Sequence, residues 1–347
     1  SQNNLAALYF LLNDKKKSKK YFISANEILI DQINNYLAYM TGQQAEAYLQ
    51  STDYLFDAYF SFYLMEGKRN EDLAGFAYDN ILARKGLMLQ SETNLRNSIL
   101  QSKNSSILKL YNEFVDLKER LTKFYIVNNE DDKDSIQVLK DRISTLEKKL
   151  ATSSDVFKER NKYNLTGWAD VKKGLKEKEA CIEFIRFRFN YLQPTDSIFY
   201  CALILRPDYK IPKMVYLFEE KELLTLINKK NVRNEEKYIG NLYHKTKRNE
   251  EGNKPDNDSI SNRLDKLIWQ PLEKYLNGVN TIFYSPAGVL NNISFAALSI
   301  NDSTYVSDKY QLKTLLSTRN LLKQEKHTPL KDFRISLYGG IEYDLQP

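Results

Sequence analysis

Residues 281–298 read TIFYSPAGVLNNISFAAL, and the order of residue types here decides how the second half of the chain folds. Four strand formers, Thr281 to Tyr284, run into Ser285, Pro286, Ala287 and Gly288. Proline fixes φ and glycine reaches φ > 0 without a Cβ clash, so the pair predicts a tight turn where a buried strand ends. Leu290, Ile293, Phe295 and Leu298 then return to the core, and the small residues after Phe295 read as the start of a helix. With only 12 Gly and 8 Pro in 347 residues, each such device is a local signal. The stretch has no Gly-rich loop with a Lys ahead of a helix, so it does not read as a phosphate cradle.

Outward from this turn the period of the sequence is that of strands alternating with helices. Thr166 offers an N-cap for a helix over 167–176, with Gly174 near its end. ACIEFIRFRF (180–189) places Ile182, Phe184, Arg186 and Arg188 on alternate positions. SIFYCALILR (197–206) is a nearly continuous apolar run, as in a central strand, and KMVYLF (213–218) is another. EEKELLTLINKK reads as a short helix, and residues 229–258 as a charged surface excursion. A helix resumes at SISNRLDKLIWQPLEKYL (259–276). YVSDKYQLKTLL (305–316) and FRISLYGG (333–340) read as further strands. Strands interleaved with helices predict an α/β unit.

The first half has a different period. Residues 1–158 contain no Pro and only four Gly. Ile28, Ile33, Tyr36, Leu37 and Met40 form one helical stripe, and Leu55, Tyr59, Phe62 and Tyr63 another. A break at Gly67–Asn70 precedes a new amphipathic helix. Ile107, Leu110, Phe114, Leu117, Leu121 and Phe124 follow 3-4 spacing, as do Ile136, Leu139, Ile143, Leu146 and Leu150. NNEDDKDS separates the two, with Asp134 as an N-cap. The pattern predicts an antiparallel helical hairpin, a homodimeric coiled coil being the alternative. The helices upstream resemble the last units of a tetratricopeptide array, with a generic helical domain as the other reading.

Composition bounds the function. A net charge of +6, from 51 basic and 45 acidic residues, does not mark a nucleic-acid binder, and the basic runs Lys15–Lys20 and HKTKRNEEGNK read as solvated surface. No apolar run approaches the length of a membrane span; AYFSFYLM (58–65) is too short. Two Cys predict a reducing, cytoplasmic compartment and no disulfide framework. Both Cys181 and Cys201 sit among apolar strand residues and read as structural, while His244 and His327 fall in loops. Neither a metal cluster nor a cofactor motif is present.

The segment LDKLIWQPLEKYLNGVNTIFYSPAGVLNNISFAAL resembles the core of the CHAT domain, a caspase-like peptidase family often found behind tetratricopeptide repeats. Trp269 and Pro271 in a helix, then an apolar strand, then Pro286, Gly288, Leu290, Phe295 and Leu298 carry the resemblance, with EACIEFIRF, STRNLL and LYGGIEYD in the expected order. It covers roughly residues 160–347. The resemblance implies an N-terminal helical region (1–158) followed by the first portion of a caspase-like α/β sandwich (159–347). It also implies a His-Cys dyad, in which imidazole deprotonates the attacking thiol. In the family both residues follow the strand that FRISLYGG resembles, so they are expected beyond Pro347. The chain therefore reads as a piece of a longer protein, inactive alone, with its helices receiving a protein partner or activator. The resemblance further implies that the loop after that strand borders the pocket for the substrate residue N-terminal to the scissile bond. Gly339, Gly340, Glu342, Tyr343 and Asp344 become wall candidates, and an inward Glu342 or Asp344 favours a basic substrate residue. The alternative is a non-catalytic helical and pseudo-caspase scaffold.

Overall fold

The computed structural model describes residues 2–37, 42–66, 71–85, 99, 104–127, 133–153, 167–191, 193–228, 260–301 and 304–322. Helices α1 (Gln2–Leu11), α2 (Lys15–Leu37), α3 (Gly42–Glu66) and α4 (Leu73–Arg84) come first. The stripe expected on α3 is buried, with Tyr59, Phe62 and Tyr63 in the core and Leu55 packed against it. Of the stripe expected on α2, Ile33 is buried but Ile28 is exposed, Leu29 being buried in its place; Met40 lies outside the described residues. Leu29, Ile33 and Phe22 share a face at helical spacing, and Ile28 lies off it.

Helices α5 (Ser105–Val127) and α6 (Lys133–Thr152) form the expected antiparallel hairpin. Ile107, Phe114, Leu117, Ile143, Leu146 and Leu150 build its own core, flanked by Leu110, Leu121 and Leu139. Asp134 lies inside the first turn of α6, because the helix already begins at Lys133. Its carboxylate there still opposes the helix dipole favourably.

The α/β unit opens with α7 (Trp168–Gly174), shorter than the expected 167–176. Gly167 is the N-cap residue, and Trp168 N–H donates to Asp79 Oδ1 on α4 at 2.6 Å, so a neighbouring helix supplies the capping oxygen. Strands β1 (Glu179–Tyr191), β2 (Gln193–Leu205) and β3 (Lys213–Glu219) form an antiparallel meander. Helices α8 (Glu220–Asn228), α9 (Ile260–Ile268) and α10 (Gln270–Glu273) lead to β4 (Thr281–Ser285). The helix expected over 259–276 breaks at Trp269, since Pro271 cannot donate into a continuous helix and instead sits at the start of α10.

Beyond β4 come two 3-10 turns, Gly288–Asn292 and Phe295–Ala297, rather than a regular helix. A small ladder, β5 (Ser299–Asn301) with β6 (Thr304–Tyr305), precedes α11 (Val306–Lys309) and β7 (Gln311–Thr314). The single strand expected over 305–316 is thus a helical turn followed by a strand. Asp308 accepts the Tyr305 N–H at 2.8 Å, and this local capping wins over strand pairing. The 3-10 turn Thr318–Leu322 closes the described chain. The expected strand 333–340 and the boundary at 158/159 lie outside the described residues.

Among the described residues the main sheet has the order β3-β2-β1-β4-β7, with β1, β4 and β7 parallel. Side-chain alternation along β1 splits the core in two. Cys181, Ile185 and Phe187 face α3, α4 and α7, in one cluster that extends back to Ala6. Ala180, Ile182 and Phe184 face α8 to α11 and the turns after β4. Both faces of the sheet are therefore covered, which is why β2 reads as a nearly continuous apolar run.

Candidate functional site

The turn after β4 is held by a polar cluster of buried Tyr200 and Glu220 with the more exposed Arg186. Gly288 has φ +52°, and a Cβ there would collide with Arg186 Cδ and Tyr200 Oη. Tyr200 Oη accepts the Val289 N–H at 3.1 Å and donates to Glu220 Oε1 at 2.9 Å. The Arg186 guanidinium grips both Glu220 oxygens, at 2.6 and 3.0 Å. That pairing holds the Glu220 carboxyl below its ordinary range, while burial pushes the Tyr200 phenol up to about 12. The remaining motif residues form the floor beneath the turn. Leu290, Phe295 and Leu298 are buried with Trp269, and the Phe295 ring lies 4.8 Å from Tyr284, 5.0 Å from Phe184 and 6.1 Å from Trp269. Pro271 and Pro286 are half-buried at its margins. The motif is architectural: nothing in it pairs a nucleophile with a base.

A second cluster lies where α4 meets the carboxyl ends of the parallel strands, the part of an open α/β sheet where ligands are usually bound. Lys85, just past α4, donates from Nζ to Glu183 Oε2 at 2.9 Å, to Phe184 O at 2.9 Å and to Ser285 O at 2.7 Å. The other carboxylate oxygen, Glu183 Oε1, accepts from Thr318 N at 2.6 Å, Thr318 Oγ1 at 2.8 Å and Ser317 Oγ at 3.2 Å. Tyr78 Oη and Thr318 Oγ1 are 2.9 Å apart. Arg319 Nη2 donates to the carbonyls of Leu82 and Lys85, satisfying the C-terminal end of α4. Burial pulls the Lys85 ammonium below its ordinary range, and the Glu183 carboxylate opposes that shift.

Sequence reading missed this second cluster. Its signal is Glu183 itself, a carboxylate in phase with Cys181 and Ile185 inside an apolar strand. A charge at such a position requires a buried partner. The partner, Lys85, is distant in sequence and could not be paired from spacing.

Cys181 and Cys201 are buried and free, and burial raises both thiols above their ordinary range, which suppresses thiolate. Partners across β1 and β2 are Cys181 with Leu205 and Ile185 with Cys201, so the two thiols are offset along the sheet and cannot join. His244, His327 and the pocket-wall candidates Gly339, Gly340, Glu342, Tyr343 and Asp344 lie outside the described residues. Among the described residues no group of three His, Cys, Asp or Glu side chains could hold a metal ion. No helix among them is long and apolar enough to cross a membrane.

Residues 258–339 match the family model of the CHAT domain, a family of the caspase-like clan that is related to cysteine peptidases. The matched region takes in α9, Trp269, the turn at Gly288 and the Thr318–Leu322 turn. A search of curated proteins found no match to the chain.

Proposed function

We propose that this chain is part of a CHAT-family, caspase-like cysteine endopeptidase whose helical region receives a protein partner or activator. The CHAT match over residues 258–339 carries the reading. In it the catalytic His and Cys lie beyond Pro347 in the native polypeptide, and the loop 339–344 walls the substrate pocket. The substrate is a protein, the compartment is cytoplasmic, and no cofactor takes part.

The test is to label the native polypeptide with an electrophilic peptide probe for cysteine peptidases and map the modified residue. The expected result is a single labelled Cys that is neither Cys181 nor Cys201, and loss of peptide cleavage when it is replaced by Ala. A native polypeptide that carries no further Cys, or none that the probe labels once its activator is bound, would overturn the reading. For residues 1–347 alone, no peptide cleavage is expected. Cleavage that survives Cys181→Ala together with Cys201→Ala would contradict this.

The second reading is a helical scaffold joined to a non-catalytic caspase-like unit, in which Cys181 and Cys201 are equally structural. The same labelling separates the two.

A further inference from the structure

The Glu183 carboxylate divides its two oxygens between two different parts of the molecule. Oε2 takes the ammonium of Lys85, which belongs to the helical layer. Oε1 takes the donors of Ser317 and Thr318, which belong to the turn after β7. Glu183 is 0% exposed, so its charge has no access to water if these partners leave. Arg319 is the other cation acting on it, but Arg319 directs its Nη2 to the carbonyls of Leu82 and Lys85. Both cations therefore depend on one element, the last turn of α4. Unwinding that turn withdraws Lys85 from Glu183, Phe184 O and Ser285 O, and removes the carbonyls that hold Arg319. The Thr318–Leu322 turn then loses the anchor at its second residue, Arg319, and Thr318 is left on a carboxylate whose cation has gone. Conversely, releasing Thr318 and Arg319 uncaps α4.

The last turn of α4 is also connected outward. Arg84 pairs with Asp53 and lies over the Phe56 ring at 4.1 Å, both on α3. A pull on α3 therefore reaches Arg84, then Lys85 and Leu82, then Glu183 and Thr318.

We propose that the last turn of α4 (82–85) and the Thr318–Leu322 turn form one cooperative latch. Through it, displacement of the helical layer releases the chain at the carboxyl ends of the parallel strands. The latch gives the proposed peptidase a route for activation by a helix-bound partner, and rests on that reading for its purpose only. Hydrogen exchange needs no substrate, so the latch and the peptidase reading can fail separately.

Native-state hydrogen exchange on the full chain, followed by mass spectrometry at rising sub-denaturing urea, tests it. Segments 82–85 and 317–322 should share one opening isotherm, reached before β1 and β2 open. Lys85→Met should accelerate both segments by the same factor, about 100-fold or more for a buried charge left unpaired. Glu183→Gln, which keeps an acceptor for the Thr318 amide, should also move both together, and the α5–α6 hairpin should not respond to either change. Separate isotherms for the two segments, or a response of only one, would overturn the latch. So would opening of both only together with β1 and β2, which would make the cluster a static joint. The wild-type isotherms decide the matter even where a variant fails to fold.

Discussion

Replacing Gly288 by Ala tests whether the turn after β4 is fixed by close packing or only by backbone conformation. Gly288 has φ +52°, and any residue with a Cβ is disfavoured there by about 1–2 kcal/mol. Its added methyl would also meet Arg186 Cδ and Tyr200 Oη. Tyr200 cannot retreat without loosening its bonds to Val289 N and Glu220, and buried polar groups left unpaired cost about 1–3 kcal/mol more. The sum is about 2–5 kcal/mol. Gly278 supplies the control, because it has φ +76° with nothing within 4 Å of an added Cβ. Gly278→Ala should therefore show the backbone part alone, about 1–2 kcal/mol. The chain has two Trp, so a Trp168→Phe background leaves the buried Trp269 as the reporter of the core beneath the turn. Urea unfolding followed by its fluorescence gives the midpoints, compared at equal m-values. Tyr200→Phe should recover part of the loss in Gly288→Ala by removing the clashing oxygen. Equal losses for the two glycine variants would refute the packing argument.

Three further outcomes follow from the geometry. Burial raises the carboxyls of Asp79 and Asp265 from 3.8 to about 6, so each native carboxyl holds its proton where the unfolded one has lost it. Their contribution to stability falls as pH rises from about 4 to 6 and then levels, so Asp79→Asn and Asp265→Asn should each flatten that window and gain stability at pH 7 relative to wild type, as read by thermal melts at several pH values. Phe295→Ala removes a ring in contact with Phe184, Tyr284 and Trp269 and should cost about 3–5 kcal/mol in urea unfolding. Leu146→Ala should cost about 2–5 kcal/mol within the α5–α6 hairpin and raise its hydrogen exchange, while the Trp269 transition stays in place, because that hairpin has its own core.

The parts of the fold legible in the sequence were those fixed by local period. The strands β1 to β4, the α5–α6 seam and the turn at Gly288 each rest on residues close in sequence whose alternation or spacing has one structural solution. Errors fell where a local hydrogen bond or a neighbouring element decided. Asp308 capped a helical turn inside an expected strand, Asp79 of α4 supplied the cap of α7, and Pro271 split an expected helix at Trp269. The site was less legible than the fold. The architectural motif from Trp269 to Leu298 could be read because it is contiguous. The Lys85–Glu183–Thr318 cluster joins residues far apart in the chain, and only Glu183, a charge in an apolar strand, announced it.

The helical layer provides one whole side of the sheet's hydrophobic interior. Cys181, Ile185, Phe187, Cys201, Leu203 and Leu205 share a cluster with Phe60, Tyr78 and Leu82 of α3 and α4. Grafting a different helical array onto this α/β unit would therefore demand more than a matched linker. The incoming helices would have to carry the α3–α4 surface with them, or expose a bare, adhesive sheet that invites self-association. Because α1 and α2 pack into the same cluster through Ala6, Phe22, Leu29 and Ile33, they would have to travel with α3 and α4, and substitutions on the inward faces of α3 and α4 should be tolerated chiefly when strands β1 and β2 change in step.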